Sequence, residues 1–262
     1  MNLAGWDGVD ERMTAIASSQ RRAAWAVLAA ALAIGTVPAA MAVAAEPDLD
    51  QAEQQIVDQT NRLRRGQGLA ATTEERRLQA AARAFAHFMA RTGQYGHEAD
   101  GRQPVQRTRA AGYDECQVAE NIAFQYSSAG FGTQALAEGF FDGWRNSPGH
   151  RRNMLDADAT ETAVAIARSA QGRYYAVQLF GRPASQRVRF EIGNRAPQAV
   201  RYELDGKAFD LPPRSTRTHL QCGVPALQMR LPGNAAPAQI HPASGDKLRV
   251  EVANARWRVV KE

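Results

Sequence analysis

The chain has 262 residues, is 44% apolar and carries a formal net charge of +5, which excludes a disordered polymer and leaves room for one large or two ordinary domains with cores of their own. The basic charge is nearly all arginine, the only lysines being Lys207, Lys247 and Lys261. No basic run is interleaved with aromatic residues, so the sequence gives no reason to expect a nucleic-acid partner.

In chain order, the first feature is Arg21-Arg22 followed by an apolar run over residues 23–34, then Gly35, Pro38 and small residues to Ala45. That is the layout of a secretory signal peptide, with Ala40-Met41-Ala42 and Ala42-Val43-Ala44 both fitting a cleavage site. Residues 1–44 are therefore assigned to a signal peptide. Their apolar run falls short of the roughly 20 residues a spanning helix needs. The expected location is secreted or periplasmic, with no stable membrane span after cleavage. Asp7, Asp10 and Glu11 offset Arg12, Arg21 and Arg22, so the mature chain stays basic; a solvated mixed surface is the favoured reading of that charge, with attraction to acidic lipid headgroups or cell-wall polymers as the alternative.

Residues 48–65 read as a helix carrying Ile56, Val57, Thr60 and Leu63 on one face, stopped by Gly66 and Gly68. In the next helix Thr72 and Glu75 have the spacing of a capping box, Leu78, Ala81, Ala82, Phe85 and Met89 recur at helical intervals, and Gly93 ends it. His97 follows in a loop bounded by Gly96 and Gly101. A short helix is predicted from Pro104 to Gly112, then Glu120-Asn121-Ile122-Ala123, a Ser/Gly-rich loop, and a helix over residues 133–144. Ser147-Pro148 has the chemistry of an N-cap followed by proline in the first turn. His150 then sits near a positive helix end, which favours a neutral imidazole. Residues 162–168 and 174–180 alternate as a strand pair joined by a hairpin.

From about residue 184 the texture changes to short strand-like pieces at residues 188–192, 199–204, 215–220, 227–231, 247–252 and 257–260. Asp205-Gly206, Pro212-Pro213 and Pro232-Gly233-Asn234 punctuate them, the spacing of a small all-β sandwich or barrel. Cys116 and Cys222 fall in the two different regions; one disulfide between them and two separate thiols both remain open.

His97, Glu120 and His150 are the residues whose chemistry draws the eye, since neutral imidazole and carboxylate serve both metal binding and acid–base work. Their settings are Gly96-His97 with Asp100-Gly101, Glu120-Asn121-Ile122-Ala123, and Trp144 with Ser147-Pro148-Gly149-His150-Arg151. Together with Asn61-Arg62-Leu63-Arg64, Gly112-Tyr113, Asn153-Met154-Leu155 and Tyr175-Ala176-Val177-Gln178-Leu179-Phe180-Gly181, these stretches resemble the CAP superfamily of cysteine-rich secretory, antigen 5 and pathogenesis-related-1 proteins, in its bacterial form. The motifs occur in the family's order across roughly residues 50 to 182.

The resemblance implies an α+β fold: a CAP-type α-β-α sandwich over residues 45–183, followed by the small all-β domain over residues 184–262. It also implies a cleft in which His97, Glu120 and His150 meet, supported by Asn121 and Trp144. Family members are described as binding divalent metal, as holding sterols or fatty acids, and occasionally as proteases. Two departures stand out. The family's second glutamate has no clear match, the register placing Ser147 near it with Glu138 and Asp142 on the same helix, and Phe85 stands where a histidine is common.

The expected function is an exported binding module at the cell envelope, with an envelope component or an apolar ligand as partner and no nucleic acid. An enzyme is the less favoured reading, because no Gly-x-Ser-x-Gly elbow occurs and Ser147 is explained by Pro148 as a cap. Two alternatives are kept: a metal-dependent, peptidase-like hydrolase in which His97 and His150 hold Zn²⁺ or another divalent metal and Glu120 is ligand or base, and a lipid- or sterol-type carrier. For Glu120, orienting an imidazole is preferred slightly over acting as a base.

Overall fold

The computed structural model describes residues 46–233 and 236–262, so the expected signal peptide lies outside the described residues. Helix α1 (Leu49–Gly66) starts where the Asp48 side chain accepts from Gln51 N, satisfying one of the free donors of its first turn. A two-residue strand, β1 (Thr73–Glu74), leads into α2 (Arg76–Thr92). The capping box expected from Thr72 and Glu75 does not form. Glu75 is itself the N-cap and accepts from Arg77 N and Leu78 N, while Thr72 bonds the side chain of Asn61. Asn61 thereby ties the end of α1 to the strand, and the asparagine reads as a latch between elements. Gly93, at φ 72°, closes α2 in the left-handed conformation the sequence suggests.

After α3 (Pro104–Ala110) comes β2 (Glu115–Gln125), then α4 (Thr133–Asn146), α5 (Pro148–Met154), β3 (Glu161–Arg168) and β4 (Tyr174–Pro183). The four strands form one sheet in the order β1-β3-β4-β2, with β2 and β3 both antiparallel to β4. Sequence patterning marks β3 and β4 but not the 11-residue β2, whose polar centre, Gln117 with Glu120-Asn121, breaks the apolar alternation.

Helices cover both faces. Ala52, Ile56, Leu136, Phe140 and Trp144 of α1 and α4 meet Val164, Ile166 and Phe180 on one side. On the other, Leu78, Phe85 and Met89 of α2 meet Ala163, Ala165, Val177 and Leu179. The alternation of β3 explains the layering: its branched residues face α1 and α4, and its three alanines let α2 approach closely. Arg64, 1% exposed, closes the α1 end by donating to the carbonyls of Ala70, Met154, Asp156 and Ala159. A buried guanidinium is tolerated here because carbonyls take its donors.

The chain then builds two more four-stranded sheets from β5 (Val188–Asn194), β6 (Val200–Leu204), β7 (Lys207–Leu211), β8 (Thr216–Gln221), β9 (Leu227–Met229), β10 (Ala238–Ile240), β11 (Lys247–Ala253) and β12 (Arg256–Lys261). Their orders are β10-β9-β6-β7 and β12-β11-β5-β8, and both sheets contribute to one core containing Phe190, Ile192, Tyr202, Leu211, Met229 and Val250. The all-β reading of this region holds, while β7 and β10 go unmarked in the sequence. β7 follows β6 through the Asp205-Gly206 turn, both residues at positive φ as a tight two-residue hairpin requires.

Cys116 of β2 and Cys222, just past β8, form a disulfide with their Cα atoms 5.4 Å apart. Around it Arg187 donates to Glu115 O at 3.1 Å, Ala184 N donates to Asp114 O at 2.8 Å, and Gly223 lies so close to Asp158 that a Cβ would come within 2.6 Å of its carboxylate. A side chain there would displace the Asp158 carboxylate from this position.

Candidate functional site

Glu120 is placed by strand register. It lies opposite Leu179 on β4, so its side chain points to the α2 side of the sheet at the edge strand β2, where it is 1% exposed. A carboxylate so deep needs compensation, and Arg107 of α3 supplies it. Nη2 of Arg107 donates to both Glu120 oxygens at 2.9 and 2.7 Å, and Nη1 donates to Asp100 Oδ1 at 2.8 Å and to Arg102 O at 2.7 Å. The guanidinium stacks on Phe85 of α2, 3.6 Å from the ring centroid.

The second partner of the Glu120 carboxylate is His97, whose Nδ1 is 2.9 Å from Oε1. Its ring is 51% exposed, so one edge is held by the carboxylate and the other meets solvent. Gly96, at φ 140°, permits the turn that delivers it. Tyr95, just before, donates its hydroxyl to Ile122 O at 3.2 Å, fastening this loop to β2.

Asn121 points to the opposite face. Its Nδ2 donates to Gln178 Oε1 at 3.0 Å and to His150 O at 3.2 Å, and its Oδ1 accepts from Asn153 Nδ2 at 2.9 Å. Asn153 Nδ2 also reaches Glu120 O at 3.2 Å. Asn121 thus latches α5, and with it His150, around the edge of β2. The His150 ring is partly buried, its Nδ1 has no hydrogen-bond partner among the described residues, and burial first, then the neighbouring His97, push its pKa below the usual 6.5. The shift runs in the direction expected from a helix end, but its causes are desolvation and His97.

Of the expected trio, then, His97 and Glu120 touch, while His150 joins through its backbone carbonyl and through the charge of His97 acting on its ring. Trp144 lies in the core between α1 and α4, stacked on Phe140 at 5.9 Å, so it braces the scaffold rather than lining the cleft. Glu138 is bonded by Gln134 and Asp142 by Arg145 at 3.1 Å, neither within bonding distance of the trio. Ser147 occupies the N-cap position of α5 but makes no side-chain cap bond; Pro148 starts the helix. Arg107 is the residue sequence reasoning missed. The signal that could have found it is electrostatic: a strand carboxylate flanked by buried positions demands a cation, and Arg107 sits in the short helix just upstream.

Residues 57–180 match the family model described as the cysteine-rich secretory protein family, CAP. This segment is a CAP domain. Among solved structures, the chain is similar to an outer surface protein of Borrelia burgdorferi at 18% identity and a TM-score of 0.45, covering 51% of this chain and 93% of that one. An extracellular SCP-domain protein of Bacillus anthracis matches at 24% identity and a TM-score of 0.42, and a cysteine-rich secretory protein of Staphylococcus aureus at 16% and 0.40. Both cover 51% of this chain, which spans only 41% and 39% of theirs. Comparison with curated proteins gives no match.

In this CAP domain the trio does not fit an ion held by three ligands. Both oxygens of Glu120 are engaged by Arg107 and His97, and a guanidinium beside an incoming cation would repel it. What remains is narrower: His97, half exposed and oriented from behind by Glu120. A carboxylate bonded to the far nitrogen is the usual way a metal-binding imidazole is aimed.

Proposed function

We propose that this protein is an exported CAP-domain binding module of the cell envelope, with residues 45–183 as the recognition domain and residues 184–262 as an appended β domain that positions it. The observation that carries the reading is the closure of Glu120. A general base must reach the proton it removes, directly or through one water. The Glu120 carboxylate is 1% exposed and saturated by Arg107 and His97, so it orients His97 instead. Export is supported by the signal-peptide layout of residues 1–44 and by the Cys116–Cys222 disulfide, which persists in an oxidising compartment. No helix among the described residues is long and apolar enough to cross a membrane.

The test pairs two measurements on the purified protein: co-sedimentation with isolated bacterial cell walls and with anionic vesicles, and turnover of a mixed peptide substrate with and without Zn²⁺ and chelator. Salt-sensitive co-sedimentation without turnover is expected. Chelator-sensitive hydrolysis abolished by His97→Ala would overturn the reading in favour of the hydrolase.

The bond from Glu120 to His97 Nδ1 favours one second reading, in which His97 and His150 together take up a divalent ion. Calorimetric titration with Zn²⁺ tests it. Single-site binding lost in both His97→Ala and His150→Ala supports it, and binding unchanged in both removes it.

A further inference from the structure

Along β2 the side chains on the α2 side run Glu120, Ile122, Phe124 and then Tyr126 just past the strand. Beyond Ile122 this line leaves the core: Phe124 is 48% exposed, Tyr126 61%, and Tyr95, from the loop leading to His97, 48%. Tyr95 and Phe124 meet edge to face at 5.2 Å, and Phe124 lies 6.0 Å from Tyr175. Scattered exposed apolar residues need no explanation, but contiguous rings do. Beside them opens a groove of about 510 Å³ lined by Arg91, Thr92, Tyr126, Gln171, Arg173 and Tyr175. Among the described residues neither Arg91 nor Arg173 is paired with a carboxylate, and Arg173 lies over the Phe124 ring at 5.6 Å. The cleft and this ledge share one strand and one loop: Tyr95 is two residues from His97, and Phe124 is four from Glu120.

We propose that this ledge binds an acidic polysaccharide, the sugar rings lying on Tyr95, Phe124 and Tyr126 and their carboxylates meeting Arg91 and Arg173. A pyranose has a flat face of C–H groups and a rim of hydroxyls, so it is matched by exposed rings flanked by planar donors such as arginine and glutamine. Unpaired guanidinium groups select carboxylate-bearing sugars over neutral ones. An added peptide strand is disfavoured because two outward carbonyls of the edge, Glu120 O and Ile122 O, already accept from Asn153 Nδ2 and Tyr95 Oη. The groove is open and lined with arginine, threonine and glutamine, unlike the apolar sleeve an acyl chain needs.

This deepens the reading of an envelope binding module and rests on it. Calorimetry of the purified protein with oligogalacturonate, an equally long neutral cello-oligosaccharide, a single-stranded oligonucleotide and a poly-glutamate peptide tests it. Oligogalacturonate should bind best, weaken with added salt, and weaken about tenfold or more in Tyr126→Ala and in Arg173→Ala. His87→Ala, on an exposed face of α2 outside the groove, should bind as the parent does. Equal binding of the neutral sugar, preference for the oligonucleotide or the peptide, or parental affinity in both ledge variants would overturn the proposal. Cell-wall co-sedimentation that persists in Tyr126→Ala and Arg173→Ala would leave the envelope module standing and remove only the ledge. Loss of co-sedimentation by the unaltered protein would remove the module itself.

Discussion

Arg107 lies flat against Phe85, its guanidinium carbon 3.6 Å from the ring centroid, and from that position bonds both oxygens of Glu120. The phenyl ring serves as a platform for a fixed cation. The electrostatic state of the cleft follows: one positive charge is shared between two carboxylates, Asp100 and Glu120, and His97 is attached to the more deeply buried of them.

Arg107→Ala should therefore be among the most destabilising changes in the CAP domain. It strands a buried carboxylate, a loss of about 3 to 5 kcal/mol for such pairs. Arg107→Lys should fall between, since an ammonium replaces the fork with a point charge and stacks poorly on Phe85. Urea unfolding checks the order, and an Arg107→Ala variant as stable as the parent would show that Glu120 finds another partner.

Partly buried His150 and buried His219 give stability a pH dependence of known sign. Burial lowers the pKa of His150 below 6.5, helped by His97, and lowers that of His219, whose Nε2 is 2.6 Å from the Tyr202 hydroxyl. Below 6.5 the unfolded chain takes up protons that these rings resist in the native state, so their contribution is complete above that pH and is lost as pH falls toward their lowered values. Unfolding free energy measured from pH 7.5 to 5.5 should decline, and His150→Gln should flatten the decline. A slope unchanged in His150→Gln would place the proton uptake elsewhere.

Helix periodicity made most of the scaffold legible: the apolar stripes of α1, α2 and α4 are the faces that meet the sheet. Strand β2 was hidden because its two neighbouring polar residues, Glu120 and Asn121, serve opposite faces, one toward Arg107 and one toward α5, so no single face looks apolar. His97 and Glu120 were legible as chemistry but not as a pair, and Arg107 not at all, since an arginine in a short helix reads as a solvated charge until a carboxylate is placed beneath it. The disulfide was undecided in the sequence because two cysteines 106 residues apart carry no information about proximity until both domains are folded.

Asn121→Ala should loosen α5 without unfolding the sheet. It removes the donor to Gln178 Oε1 and His150 O and one of two acceptors of Asn153 Nδ2, buried or partly buried groups whose lost bonds together cost about 2 to 3 kcal/mol. The sharper readout is local. The His150 imidazole resonances should shift and its pKa should rise toward the solvent value as the ring gains exposure, whereas the His219 resonances should not move. Identical His150 titration in parent and variant would mean that α5 is held by its other contacts alone.

Reduction of Cys116–Cys222 should cost more than any single hydrogen bond discussed above. The bond closes a loop spanning a sequence separation of 106, and the chain-entropy account gives about 4 to 5 kcal/mol for a loop of that size. The loss should appear chiefly at the junction. There Gly223 packs on Asp158, Val224 N lies 3.4 Å from Asp158 Oδ1, and Arg187 reaches Glu115 O, contacts few enough to depend on the covalent tie. The two cores are separately built, one set around the CAP sheet and one between the two β sheets. Amide exchange in Cys222→Ser should accelerate at residues 114–118 and 222–224 before it changes in β3 or β5. Uniform acceleration across both cores would instead make the disulfide a global clamp, with the two regions unfolding as one unit.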